Sequence, residues 1–305
     1  MSPPRVEIAP GVFREWDERL DAPSRPVLRW HGGKWMLAPW IISHFGAHRI
    51  YVEPFGGAAS VLLRKPRSYA EVYTDLDGDV VNLFRLLRST DAPRLVEALR
   101  LTPFARDEFE LAYEPTEEPL ERARRLVIRS FMGFGSDGHN IAIRTGFRSN
   151  TTRAGTTPAM DWHNYPDCLA EVIERLRGVQ VENRPALEVM QRHDGEQTLH
   201  YVDPPYLHDT RKGRGATGIK NSYSHEMSTE QHVDLLDALR SLAGMVVLSG
   251  YPSELYDNAL KDSWTRIERK ALADGARPRT EVLWLNAAAV EAWRSHGMFG
   301  AEIAA

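Results

Sequence analysis

Arg49-Ile50-Tyr51-Val52-Glu53-Pro54-Phe55-Gly56-Gly57 reads as a short buried strand running straight into a glycine turn. β-Branched and aromatic residues suit a pleated, buried strand, and paired glycines let backbone come close to a ligand. A helix is expected from Ala58, with Val61, Leu62 and Leu63 on its buried side. Glu71-Val72-Tyr73-Thr74-Asp75 predicts a second strand, followed by a helix over about 79–89. The same alternation returns later: a helix over 166–177, strands over 179–182 and 199–202, a helix over 229–242, and strands over 245–249 and 281–285. Short apolar strands alternating with helices predict an α/β fold with a doubly wound, mostly parallel sheet.

Residues 102–165 break that rhythm. Helices are expected over 107–113 and 120–131. A glycine-rich stretch (132–140) and a polar, Thr- and Arg-rich segment follow, up to Pro158. The predicted organisation is therefore a loose arm over 1–25, a main domain built from 26–101 and 166–305, and an inserted, mainly helical module over 102–165.

The chain has 305 residues, of which 42% are hydrophobic and 26% charged, the balance of a water-soluble globular protein. No apolar run approaches the roughly 18 residues that cross a bilayer. Cys168 is the single cysteine, which excludes an internal disulfide or a cysteine-based zinc site and predicts a reducing, cytoplasmic setting. The net charge of −4 does not announce a nucleic-acid binder, but its distribution is uneven. Between Arg122 and Arg153 there are seven arginines and one acid, Asp137, and Arg211, Lys212, Arg214 and Lys220 form a second basic patch. Such clusters suit a phosphate-binding surface, although arginine runs are also ordinary solvated faces.

The second basic patch follows Asp203-Pro204-Pro205-Tyr206, which ends the apolar run Leu199-His200-Tyr201-Val202. An Asp-Pro-Pro sequence also serves in plain turns. Here it delivers a carboxylate, the Pro204 carbonyl and an aromatic ring to one point, and the prolines stiffen the loop. Two acceptors and a stacking face are what chemistry on a planar amino group needs. The turn Glu53-Pro54-Phe55-Gly56-Gly57, followed about 20 residues on by a strand-ending Asp75, has the order of a nucleotide site whose acid grips ribose hydroxyls. Upstream, Trp30-His31-Gly32-Gly33-Lys34 places an indole and a cation around a tight turn, fit to close over a ligand with a carboxylate. It lacks the spacing of a Walker loop.

These four motifs, in this order, resemble the Dam-type DNA adenine-N6 methyltransferases over about residues 26–286. The resemblance implies a Rossmann-like methyltransferase fold with an inserted target-recognition module, and S-adenosylmethionine as cofactor. It implies cofactor contacts at Trp30, Lys34, Glu53, Pro54, Phe55, Gly57, Asp75 and Asp203, and a catalytic loop of Asp203, Pro204, Pro205 and Tyr206. The implied partner is double-stranded DNA, with the adenine flipped out, stacked on Tyr206 and methylated by in-line displacement. No metal, no membrane and no covalent intermediate are required, and a monomer or weak dimer is expected. Ser249-Gly250 falls where the family has a strand-end element of the same cleft. Ala59 departs from the glycine of many relatives and is expected to crowd the cofactor slightly.

Candidate DNA contacts are Arg129, Asn140, Arg144, Arg148, Asn150, Arg153, Arg211 and Lys212, since Arg and Asn can read base edges or hold phosphates. Phe131, Phe134 and Phe147 are stacking candidates, although aromatics in helices usually belong to a core. Competing readings are a methyltransferase acting on RNA or a protein amide, and a DNA-binding relative without turnover. His139, His163, His193 and His200 lack paired zinc-ligand spacing. The target sequence and the context, whether host, phage or restriction–modification, stay open at this level.

Overall fold

The computed structural model describes residues 5–9, 12–15, 22–136, 138, 141–152, 155–207, 210, 225–273 and 277–300. At the N-terminus, Arg5–Ala9 (β1) and Val12–Glu15 (β2) pair as an antiparallel hairpin. Within the segment expected as an arm, these two strands form a two-stranded sheet of their own. The polar–apolar alternation Arg5-Val6-Glu7-Ile8 carries the strand period inside a charged, proline-rich composition.

The main sheet contains Ile50–Glu53 (β3), Ala70–Thr74 (β4), Val179–Glu182 (β5), Thr198–Val202 (β6), Met245–Gly250 (β7), Thr265–Ala273 (β8) and Arg277–Leu285 (β9). Their order is β5-β4-β3-β6-β7-β9-β8. The first five run parallel, with Val52 opposite Val72 on one side and His200 on the other. β9 is antiparallel to both β7 and β8. The chain therefore winds outward from β3 to β5, returns to β6 and winds the other way. The carboxyl ends of β3 and β6 flank the point of reversal, where open α/β sheets open a crevice. The doubly wound, mostly parallel sheet is the expected one. β8 was not foreseen, because Thr265-Arg266-Ile267-Glu268-Arg269-Lys270 offers one large aliphatic residue among charges.

The helices expected within 102–165 form over Arg106–Leu111 and Pro119–Met132. Pro119 occupies the first turn, where its missing N–H costs nothing, and the Glu118 carboxylate accepts from the amides of Leu120 and Glu121. Ala123, Leu126, Val127 and Phe131 line the buried face and share one core with Leu83, Phe84 and Leu87 of helix Gly78–Leu87. The helix expected over 166–177 is a 3-10 turn, Pro166–Cys168, leading into helix Leu169–Arg175. Among the described residues, no helix is long and apolar enough to cross a membrane.

Behind the sheet, three charges are buried together. Glu71 accepts from Lys65 Nζ at 2.7 Å and from both terminal nitrogens of Arg175, at 2.6 and 2.9 Å. Burial alone would raise the Glu71 carboxyl, but the two cations overcome it and hold it at about 2. Breaking such a group is costly because the remaining charge is stranded out of water.

Candidate active site

Motifs as far apart in the chain as Trp30 and Pro205 meet at the carboxyl edge of β3, β4 and β6. One cavity of about 250 Å3 is lined by Trp30, Lys34, Glu53, Pro54, Phe55 and Gly57, and by Asp75, Asp203 and Pro205. Every cofactor candidate named from the sequence thus borders the same space. Close approach dictates the glycine at 57: its φ is +46°, and a Cβ there would lie 2.5 Å from Trp30 Nε1. The turn is fastened to the next strand, since Gly57 N–H donates to Asp75 Oδ2 at 2.7 Å and Asp77 N–H donates to Oδ1 at 2.8 Å. Burial raises the Asp75 carboxyl to about 6 against those two amides. Each carboxylate oxygen keeps a further lone pair for a hydroxyl.

Glu53 is buried, accepting from Tyr51 Oη at 2.6 Å and Leu62 N–H at 2.8 Å through the same oxygen. Burial pushes its carboxyl up to about 8, and nearby Asp203 adds to the rise.

Asp203 is held from two sides. Lys34 Nζ stands 2.9 Å from Oδ2, and Ser249 Oγ donates to Oδ1 at 2.7 Å. Tyr201 Oη lies 3.1 Å from Ser249 Oγ, extending the chain of hydrogen bonds down β6. The same Lys34 Nζ sits 4.7 Å from the centre of the Tyr206 ring. Tyr206 itself is only 6% exposed; its hydroxyl donates to Glu281 Oε2 at 3.1 Å, and its ring meets Tyr251 edge-on at 4.6 Å. Pro204 is buried beside it. The loop thus presents a positioned acceptor whose aromatic neighbour is still covered.

Ala59 is completely buried at φ 53°, ψ 37° and does not line the cavity. The expected crowding of the cofactor is therefore corrected: a glycine at this position answers a left-handed backbone, which costs an L-residue about 1–2 kcal/mol.

The DNA candidates separate. Arg129 is 2% exposed, donating to the Ala112 carbonyl at 2.6 Å and to Asp79 at 3.4 Å, so this structure gives it a core role and not a surface contact. Arg148 is largely buried, donating to the Phe131 carbonyl at 3.0 Å. Arg144 is exposed, with its guanidinium over the Tyr113 ring, and exposed Asn150 folds back to accept from Thr152. Phe131 is core and Phe134 is 73% exposed. Asn140, Arg153, Arg211 and Lys212 lie outside the described residues.

Sequence reasoning missed Asp77, His225, Met227 and Gln231 on the cavity wall, and Glu281 and Tyr251 around Tyr206. The available signal for Glu281 was a lone carboxylate opening the apolar run Val282-Leu283-Trp284-Leu285.

A crevice of this kind, on a sheet with one reversed strand between two that run the other way, places the chain in the Rossmann-like methyltransferase class. A family model of the D12 class N6 adenine-specific DNA methyltransferases matches residues 30–273, and the chain belongs to that family. It is similar to a DNA adenine methylase of Serratia marcescens, 33% identical over 108 residues. That match covers 34% of this chain and 40% of the relative, less than half of the relative's length. A DNA adenine methylase of Salmonella typhi is 23% identical over 251 residues, covering 81% and 86% of the two chains. Among solved structures, an rRNA methylase from Streptococcus thermophilus matches at 8% identity and a TM-score of 0.31, over 82% of this chain and 94% of that one, a likeness too loose to carry weight.

Proposed function

We propose that this chain transfers a methyl group from S-adenosylmethionine to the N6 amino group of adenine in duplex DNA. The observation that carries the reading is Asp203, an acceptor pinned by Lys34 and Ser249 on the wall of the cavity that the four motifs share; membership of the D12 family supports it. The cavity suits the cofactor. It offers the cation of Lys34 for a carboxylate, Asp75 and Asp77 for hydroxyls, and Trp30, Phe55 and Met227 as apolar walls.

S-adenosylmethionine, when bound, supplies an electrophilic methyl on a sulfonium. The remaining work falls to the chain. The amino group of a stacked adenine is edge-on and conjugated into the ring, so the base must leave the duplex at a cost of a few kcal/mol. Stacking on Tyr206 returns about 1–3 kcal/mol. Asp203 and the Pro204 carbonyl would accept the two amino hydrogens, freeing the lone pair to point at the methyl and offsetting the charge growing on nitrogen. As the N–C bond forms, the sulfonium–methyl bond would break to a neutral thioether, and the surplus amino proton would leave past Asp203 to water. The segment 102–165 serves in this reading as the target-recognition insertion, with Arg144 and Asn150 as its described candidates. The setting is a reducing cytoplasm.

The test is transfer of radiolabelled methyl from S-adenosylmethionine to unmethylated duplex DNA, followed by nucleoside analysis. N6-methyladenine in the digest is the expected product. Cofactor binding with no label in the DNA overturns the reading.

A further inference from the structure

β9 meets β7 only from Leu285 to Val282, where β7 ends at Gly250. β8 and β9 nevertheless stay paired for five more rungs, from Arg269 opposite Glu281 to Ala273 opposite Arg277. Five rungs at about 3.4 Å make a ribbon of roughly 15 Å that stands clear of the sheet. It leaves the carboxyl edge, the side on which Asp203 lies. Its root is tied to the catalytic loop: Glu281 accepts from Tyr206, and the Arg279 guanidinium lies over the ring of Tyr251, which in turn meets Tyr206.

The ribbon is basic. Arg269, Lys270, Arg277 and Arg279 fall within 269–279 against a single acid, Asp274. Arg269 and Lys270 are both exposed, and successive strand residues point to opposite faces, so positive charge lies on both. Glu281, the acid at the root, is buried and occupied by Tyr206. Charges on an edge strand often only guard against edge-to-edge pairing, and either sign would do that. Cations gathered on the catalytic side, beside the ring that is to receive the base, call for a further explanation.

We propose that the β8–β9 ribbon is a second DNA-binding element, gripping duplex phosphates beside the target adenine. This rests on the reading of the chain as a DNA methyltransferase. A two-stranded ribbon with cations on both faces fits between the phosphate walls of a major groove, about 12 Å wide. Its contacts are independent of sequence, complementing whatever the 102–165 insertion reads.

The test uses the full chain and a fluorescein-labelled DNA duplex, with binding followed as salt is raised. Each phosphate contact adds about 0.9 to the slope of log affinity against log salt. Arg269→Gln/Lys270→Gln should flatten that slope by about 2 and weaken binding roughly tenfold or more at 0.1 M salt, with affinity for S-adenosylmethionine unchanged. Arg177→Gln, an exposed cation just before β5 at the amino edge, should leave the slope unaltered. If the double variant keeps the wild-type slope while the wild type methylates DNA, the ribbon assignment falls and the enzymatic reading stands. If the wild type binds the cofactor but neither binds nor methylates the duplex, both fall.

Discussion

Lys34 Nζ bridges to Asp203 Oδ2 at 2.9 Å while resting 4.7 Å from the Tyr206 ring, so one cation engages both the carboxylate and the aromatic ring. A cofactor carboxylate that draws Lys34 away would release both at once. Cofactor binding should therefore strengthen DNA binding, and order-of-addition kinetics should place S-adenosylmethionine first. Asp203→Ala should lower kcat by about 10²–10³-fold or more in a protein that still folds, at some cost in melting temperature because the buried Lys34 ammonium loses its counter-charge. Near-normal turnover by the folded variant would dismiss the mechanism. Lys34→Ala should act chiefly on the cofactor dissociation constant, measured by calorimetry.

Tyr206 and Glu281 form a second pair to separate. Tyr206→Phe keeps a stacking ring but strands a buried carboxylate, costing on the order of 1–3 kcal/mol of stability. Glu281→Gln keeps an acceptor for the hydroxyl and should cost less. The double variant should be milder than the sum of the two, read by urea denaturation; strict additivity would show that the hydrogen bond contributes nothing. Tyr206→Ala should lower catalysis more than cofactor binding.

Glu53 sets a pH dependence with a definite sign. Its carboxyl is raised from 4.5 to about 8 in the folded state, so folding favours the protonated form. The stabilisation from this group is complete below about pH 4.5 and is lost as pH rises through about 8, amounting to as much as about 4–5 kcal/mol. Glu53→Gln should flatten urea-measured stability across that window. An unchanged slope would place the proton elsewhere.

Glu71 behaves in the opposite sense. With its carboxyl held at about 2, its contribution is present above pH 4.5 and lost as pH falls toward 2. Arg175→Met should destabilise by about 3–5 kcal/mol and raise the midpoint of acid unfolding. A midpoint that does not move would deny the ion group a role in acid stability.

Most of the sheet was legible because the three strands that build the site are short runs rich in β-branched and aromatic residues, each followed or ended by a carboxylate: Val52 before Glu53, Thr74 before Asp75, Val202 before Asp203. Local sequence and tertiary role coincide there. β8 escaped because its partners across the sheet, and not its own residues, make it a strand. Arg129 misled for a related reason. It was grouped with the arginines at 122, 124 and 125, and only the fold brings the Ala112 carbonyl and Asp79 to its guanidinium. The covering of Tyr206 by Lys34 and Glu281 was equally invisible, since it joins residues 34, 206 and 281.

Arg129 and the core it occupies carry a last consequence. Helix Pro119–Met132 is welded to helix Gly78–Leu87 by shared side chains and by Asp79, so the segment proposed to read DNA and the sheet that holds Asp203 share one continuous core. The distance from the bases inspected to the base modified is then fixed like marks on a ruler. New target preferences would evolve by redecorating the loops beyond Met132, with the ruler itself left untouched.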